Sequence, residues 1–101
     1  MELKAGARLK SAADTTEVIV VRAPGEPVDL RCGGHPMLAL DETAPSAAVE
    51  AGFGDGCQLG KRYADEESGL ELLCTKAGEG TLSIGTEPLG LKGAKPLPSS
   101  D

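Results

Sequence analysis

Glycine and proline occur along the whole length of this chain and favour turns between short segments. The 101 residues include 14 glycines and 7 prolines, and no segment shows a sustained apolar period of 3.6 residues. The apolar runs between these breaks are short and rich in Val, Ile and Leu, and only 2% of the residues are aromatic. Such runs favour strands, whereas glycine and proline favour the turns that join them. The sequence therefore predicts an all-β fold with an aliphatic core.

The clearest strand is segment 17–22, Glu-Val-Ile-Val-Val-Arg, which ends at a Pro-Gly turn over residues 23–26. Segment 28–32 alternates apolar and polar residues, as a half-buried strand does. We expect these two strands to form a hairpin, and segment 45–51 is compatible with one or two helical turns before Gly52. The pattern predicts six core positions: Val18, Val20, Leu30, Leu72, Cys74 and Leu82.

The two halves of the chain repeat each other. Residues 17–26 recur as residues 71–79 with Pro24 skipped, and residues 30–37 recur as residues 82–89. A hairpin of this size cannot bury its own apolar face. The two repeats are therefore expected to pack against each other, with equivalent patches in contact.

These features predict one all-β domain over residues 1–94. It would consist of two related β-hairpin repeats packed as a small sandwich or open barrel with pseudo-two-fold symmetry. The first repeat spans about 13–40 and the second about 67–92. Residues 95–101 are predicted to form a flexible tail.

The charge of the chain narrows the classes of partner. Sixteen acidic residues against 10 basic ones give a net charge of -6. Nucleic-acid binding draws on Lys and Arg and on aromatic stacking, and anionic membranes also attract basic surfaces. No apolar run approaches the roughly 20 residues of a membrane span. We therefore expect neither nucleic acid nor membrane as a partner, and a second protein is favoured.

The three cysteines, Cys32, Cys57 and Cys74, are an odd number at unrelated spacings. This is a poor framework for disulfides, and the first residues lead into no apolar signal segment. Both observations predict a reducing, cytoplasmic location.

Residues 30–37, Leu-Arg-Cys-Gly-Gly-His-Pro-Met, resemble the Leu-x-Cys-Cys-Gly-x-Pro-Met segment of desulforedoxin and of the N-terminal domain of desulfoferrodoxin. The resemblance runs back without a gap through segment 17–22, and it covers the second half less well. It implies a small β domain that holds iron in a tetrathiolate site. Desulforedoxin is a dimer, so a duplicated chain would be equivalent to that dimer.

The family's iron ligands are not retained. The upstream Cys-x-x-Cys falls on Ala13 and Thr16, and the second member of the later pair falls on Gly33, so only Cys32 matches. The corresponding positions of the second half are Glu67, Leu70, Ile84 and Gly85. The resemblance therefore implies a duplicated scaffold that has lost its iron site, and we expect no cofactor.

A different metal site remains an alternative. Cys32 and His35 have Cys-x-x-His spacing, and Cys57 and Cys74 would complete a set of three thiols and one imidazole for Zn²⁺. Alternatively, Cys32 and Cys74 are small buried hydrophobes, because the repeat places aliphatic residues at the matching positions. Cys57 is expected on an exposed loop.

The favoured function is a noncatalytic accessory or protein-interaction module, such as a small subunit of an enzyme complex, acting as a monomer or homodimer. No motif of an enzyme is present, so no catalytic residue is assigned. The alternative function is a small zinc- or iron-binding protein of the rubredoxin or desulforedoxin type, with Cys32, His35, Cys57 and Cys74 as ligands.

Overall fold

The computed structural model describes residues 3–43 and 47–92, and these residues form strands but no helix. None of the described segments is therefore a helix of the length and apolarity needed to cross a membrane. The strands are β1 (Arg8–Lys10), β2 (Glu17–Arg22), β3 (Leu30–Cys32), β4 (His35–Pro36), β5 (Leu38–Ala39), β6 (Arg62–Asp65), β7 (Leu70–Lys76), β8 (Leu82–Ile84), β9 (Glu87–Pro88) and β10 (Gly90–Lys92).

The strands form two antiparallel sheets. The larger sheet has six strands in the order β10-β6-β7-β2-β1-β5, and the smaller has four in the order β4-β3-β8-β9. Buried side chains from both sheets form one apolar cluster. The predicted all-β sandwich is confirmed.

All six predicted core positions are confirmed, because none of them exposes more than 2% of its surface. Four of these residues face each other across the centre of the larger sheet, where Val18 pairs with Cys74 and Val20 pairs with Leu72. Alternate residues of a strand point to the same face, so the apolar alternation of β2 places both valines in the core.

The expected hairpin between segments 17–22 and 28–32 is wrong, because these strands lie in different sheets. β2 pairs with β1 along one edge and with β7 along the other, which leaves no edge for β3. β3 pairs instead with β4 and β8. Pro24 and Pro27 lie between the two strands and have no N–H to donate to a sheet, so the chain crosses there from one sheet to the other.

The helical turns expected over residues 45–51 are not formed in the described part of that segment, residues 47–51. The N–H of Ala47 donates to the carbonyl of Ala12 (3.0 Å), and that of Glu50 donates to the carbonyl of Gly33 (2.8 Å). These bonds tie the segment to the first half of the chain instead of closing a helical turn. The tail predicted over residues 95–101 lies outside the described residues.

A two-residue turn at Gly33 and Gly34 connects β3 to β4. Their φ angles are 66° and 89°, in the left-handed region that favours glycine. A two-residue hairpin turn of type I′ needs positive φ at both central residues, and the Gly-Gly pair meets this requirement. The turn places Cys32 directly opposite His35 across the two strands.

Candidate functional site

The structure buries all three cysteines, including the one expected at the surface. Cys32, Cys57 and Cys74 each expose 2% of their surface or less. The exposed position predicted for Cys57 is wrong, because its backbone forms a β-bridge with Gly78 through bonds of 2.9 and 3.2 Å. This bridge holds the loop against the end of β7 and turns the thiol into the core.

The buried environment keeps the thiols of Cys32 and Cys57 protonated. Burial, and after it the nearby charge of Asp14, raises the pKa of Cys32 to about 11. Burial also raises the pKa of Cys57, and the neighbouring Cys74 thiol raises it further. Because the thiolate is the reactive form of cysteine, neither group is suited to act as a nucleophile as it stands.

We predict that the thiols of the native protein resist alkylation at pH 8. At a pKa of about 11, roughly one Cys32 thiol in a thousand is ionised at that pH, against about a quarter in an unfolded chain. Mass spectrometry after iodoacetamide treatment should show three modifications in urea and labelling slower by more than about a hundredfold without it. A thiol that reacts equally fast in both conditions would contradict the buried position.

His35 contacts the segment 47–57 instead of a thiol. Its Nε2 atom lies 2.7 Å from the carbonyl oxygen of Ala48 and 3.3 Å from the carboxylate of Glu50. The Glu50 side chain also covers Gly34, where an added Cβ would lie 2.7 Å from the Glu50 Cβ. Among the described residues, no group of three or more His, Cys, Asp or Glu side chains is arranged to hold a metal ion. The imidazole therefore helps to fasten segment 47–57 over the Gly33–Gly34 turn.

The four ligand positions of the desulforedoxin-like motif lie near one another, but their side chains do not fit iron. An added Cβ on Gly33 would lie 3.2 Å from the Cβ of Ala13, and the Thr16 hydroxyl and the Cys32 thiol both donate to Asp14. Tetrathiolate iron needs four sulfur ligands, and these positions supply one. No chemistry of iron is therefore assigned to this chain.

Asp14 joins the two halves of the chain. Its carboxylate accepts hydrogen bonds from the Thr16 hydroxyl (2.9 Å), the Cys32 thiol (3.7 Å) and the backbone N–H of Gly80. Burial by itself raises the pKa of this carboxyl group. Hydrogen bonds from Ser11, Gly80 and Thr16 outweigh that effect, so the pKa lies below its usual value of 3.8.

The lowered pKa predicts the direction in which pH changes stability. A carboxyl group with a lower pKa in the folded state stabilises the fold above its unfolded pKa, and this contribution is lost as the pH falls through the folded value. Replacing Asp14 with asparagine should lower the free energy of unfolding at pH 7 by about 1–3 kcal/mol, because hydrogen bonds to a charged acceptor are lost. The variant should then lose less stability than the native protein below about pH 4.

Urea unfolding measured between pH 7 and about pH 2 tests this prediction, with Asp41→Asn at an exposed turn as the control. Parallel pH profiles for Asp14→Asn and the native protein would show that the carboxylate does not carry this contribution.

Among the described residues, β10 and β5 are the outer strands of the larger sheet. At one end lies a groove of about 850 Å³ between the β6–β7 turn and β10, which we call the β10 groove. Its apolar lining includes Ala64, Pro88 and Leu91. The charged residues that line it are Arg22, Asp65, Glu66, Glu67 and Glu71.

A smaller cleft of about 240 Å³ lies between Leu40 and residues of β1, β2 and β7. It is lined by Leu40 and by the charged residues Arg8, Glu17 and Lys76. The two depressions therefore differ in charge, because acidic residues are in excess in the β10 groove and basic residues are in excess in the smaller cleft.

The described residues therefore define a small antiparallel β sandwich. Its three cysteine side chains are buried in the core, and the outer strands β5 and β10 of its larger sheet have no further described strand beside them. No family model, curated protein or solved structure matches the chain. The likeness to desulforedoxin therefore remains a prediction based on the motif around Cys32.

Sequence reasoning missed Asp14 and the β10 groove. Asp14 carried a local signal, because Ser11 accepts hydrogen bonds from the N–H groups of Ala13 and Asp14 in a compact serine-led turn. Its contact with Gly80 joins residues 66 positions apart and leaves no mark in either local sequence. The β10 groove likewise combines residues from three separate parts of the chain.

Proposed function

We propose that this protein is a noncatalytic accessory module that binds a partner protein through an outer edge of its larger sheet. The observation that carries the proposal is the pair of open edges. Within the described residues, β5 and β10 each have a strand neighbour on one side only. Leu40 next to β5 and Leu91 in β10 expose 38% and 44% of their surfaces. An open strand edge offers backbone hydrogen bonds to a second chain, and an exposed leucine adds apolar contact.

The buried thiols support a noncatalytic role. A nucleophilic cysteine needs a lowered pKa and access to substrate, whereas the pKa of Cys32 is raised and its side chain is fully buried. The imidazole of His35 is engaged by Ala48 and Glu50, so it is not paired with a nucleophile.

We further propose that the two halves derive from a duplication, and the pairing registers support this. The sequence repeat equates Val18 with Leu72 and Val20 with Cys74. Exchanging the two halves therefore turns the Val18–Cys74 pair into the Leu72–Val20 pair, and both pairs are present.

The smaller sheet follows the same rule. The pair Leu30–Ile84 becomes Leu82–Cys32 on exchange, and this is also an observed pair. Such an arrangement has a pseudo-two-fold axis between β3 and β8, like the axis of a dimer. Equivalent apolar faces then cover each other within one chain, which leaves self-association less to gain and leaves the sheet edges for another protein.

Capture from the native cells tests the proposed function. The tagged chain would be cross-linked in the cell and purified, and the captured protein would then be mixed with it in pure form. We expect a stoichiometric complex by size-exclusion chromatography with light scattering. The complex should weaken with Leu40→Ser or Leu91→Ser, but not with Leu59→Ser, a change at a leucine that is 65% exposed and lies in neither strand. A chain that forms no complex with any captured protein would contradict the proposal.

The metal-binding alternative is tested by elemental analysis of protein purified from its native cells. If the protein holds one zinc or iron per chain and loses it on Cys32→Ser, it is a metalloprotein, and the proposal of an accessory module is wrong.

A further inference from the structure

The β10 groove carries an excess of negative charge. The carboxylates of Asp65, Glu66 and Glu67 and the guanidinium of Arg22 line it, which gives a net charge of -2. The fourth carboxylate of the lining, Glu71, is buried and lies 3.5 Å from the guanidinium of Arg62. Glu66 and Glu67 are exposed on the turn between β6 and β7, so a ligand can contact their carboxylates directly. Charged side chains at the rim of a surface steer and select an oppositely charged partner. This surface therefore favours a positively charged ligand.

The groove also has an apolar component and a free strand edge. Leu91 is 44% exposed and lies in β10 opposite Tyr63 of β6, and it lines the groove together with Ala64 and Pro88. β10 pairs with β6 along one edge, and no described strand pairs with the other edge. An added strand at such an edge would form backbone hydrogen bonds, and its alternate side chains would reach the groove.

We propose that the β10 groove binds an extended segment of a partner protein in which lysine or arginine alternates with aliphatic residues. This inference rests on the proposed function and names the chemistry of its partner. The segment adds to the larger sheet beside β10. Its aliphatic side chains cover Leu91, and its basic side chains meet the carboxylates of Glu66 and Glu67.

The charge of the chain argues against a second copy as the occupant. Each copy carries a net charge of -6, and two copies joined at β10 would bring their acidic grooves together. Like charges placed across an interface oppose binding. Nucleic acid is disfavoured for the same reason, because its phosphates are also negative.

Two synthetic ten-residue peptides test the proposal, one alternating lysine with valine and the other alternating glutamate with valine. Each peptide carries a fluorescent label, and binding to the full chain is measured by fluorescence anisotropy. We expect saturable binding of the lysine peptide that weakens with added salt, and no binding of the glutamate peptide.

Matched variants separate the groove from general charge attraction. Glu66→Lys with Glu67→Lys should weaken binding by about tenfold or more, and Leu91→Ser should also weaken it. Asp41→Lys with Glu79→Lys makes the same change in net charge at exposed positions outside the groove lining. This second pair, and Leu40→Ser at the opposite sheet end, should leave binding nearly unchanged. Equal weakening by both charge-reversed pairs would overturn the proposal.

The remaining outcomes distinguish this inference from the proposed function. If a captured partner forms a stoichiometric complex that Glu66→Lys with Glu67→Lys leaves unchanged, the β10 groove is not its site and only this inference fails. If no captured protein forms a complex, the proposed function fails as well. Concentration-dependent dimerisation that Leu91→Ser abolishes, without peptide binding, would assign the edge to a second copy and overturn the inference.

Discussion

Replacing Leu72 with alanine is expected to lower the free energy of unfolding by about 3 kcal/mol. Leu72 is fully buried in β7, between Val20 of β2 and Tyr63 of β6. Removing most of its side chain loses apolar contact and leaves a cavity in the core. The strands on both sides of β7 are held in the sheet, so they cannot move in to fill this cavity. The smaller change Val20→Ala, at the facing position, should cost about 1–3 kcal/mol.

Urea unfolding followed by far-UV circular dichroism measures the effect, and the spectrum should lack helical minima. Leu59→Ala is the matched control, because it makes the same chemical change at a side chain that is 65% exposed. It should change the free energy by no more than about 0.5 kcal/mol. A loss below about 1 kcal/mol for Leu72→Ala would place this residue outside the core.

The second large effect is expected at Gly78, where alanine should destabilise the protein by about 2–3 kcal/mol. An added Cβ would lie 2.6 Å from the backbone nitrogen of Thr16 and 2.6 Å from the carboxylate of Asp14. The other side of Gly78 is held by its β-bridge with Cys57. Neither side can give way without breaking backbone contacts, so the cost is steric.

Gly25 provides the matched control for Gly78, because the proposed duplication would make the two glycines equivalent. An added Cβ on Gly25 would meet no atom within 4 Å. Since alanine also restricts the unfolded chain, Gly25→Ala should be neutral or stabilise by up to about 1 kcal/mol. Equal effects of the two substitutions, measured by urea unfolding, would show that Thr16 does not approach Gly78 closely.

The sequence predicted which side chains are buried more reliably than which strands pair. Val18 and Val20 follow from alternation within one strand, and this alternation reports directly on the face that enters the core. One edge of β2 pairs with the nearby β1, but the other pairs with β7, whose residues lie about 50 to 60 positions further along the chain. The local apolar pattern is similar for each competing strand, so it does not distinguish between them. The sequence therefore favoured the strand nearest in the chain, segment 28–32, and this prediction was wrong.

The position of Cys57 was mispredicted for a related reason. Its neighbours Gly54, Asp55 and Gly56 are typical of an exposed loop, and two of these three are exposed. The thiol is nevertheless buried, because the β-bridge to Gly78 holds the backbone of Cys57 in a position from which its side chain enters the core. A single inward residue in a polar loop has no periodic signal. The β10 groove escaped prediction in the same way, since it is formed only when the β6–β7 turn and β10 come together.

The pairing of β2 with β7 also sets the order in which the chain can fold during synthesis. β2 ends at Arg22 and β7 ends at Lys76, so 54 further residues must be made before the central pair is complete. At about 5–20 residues per second, this takes roughly 3–10 s. Throughout that interval one edge of β2, with its run of valine and isoleucine, has no native partner. A newly made chain is therefore exposed to wrong strand pairing while the ribosome is still at work, and slower translation before β7 would lengthen this vulnerable period.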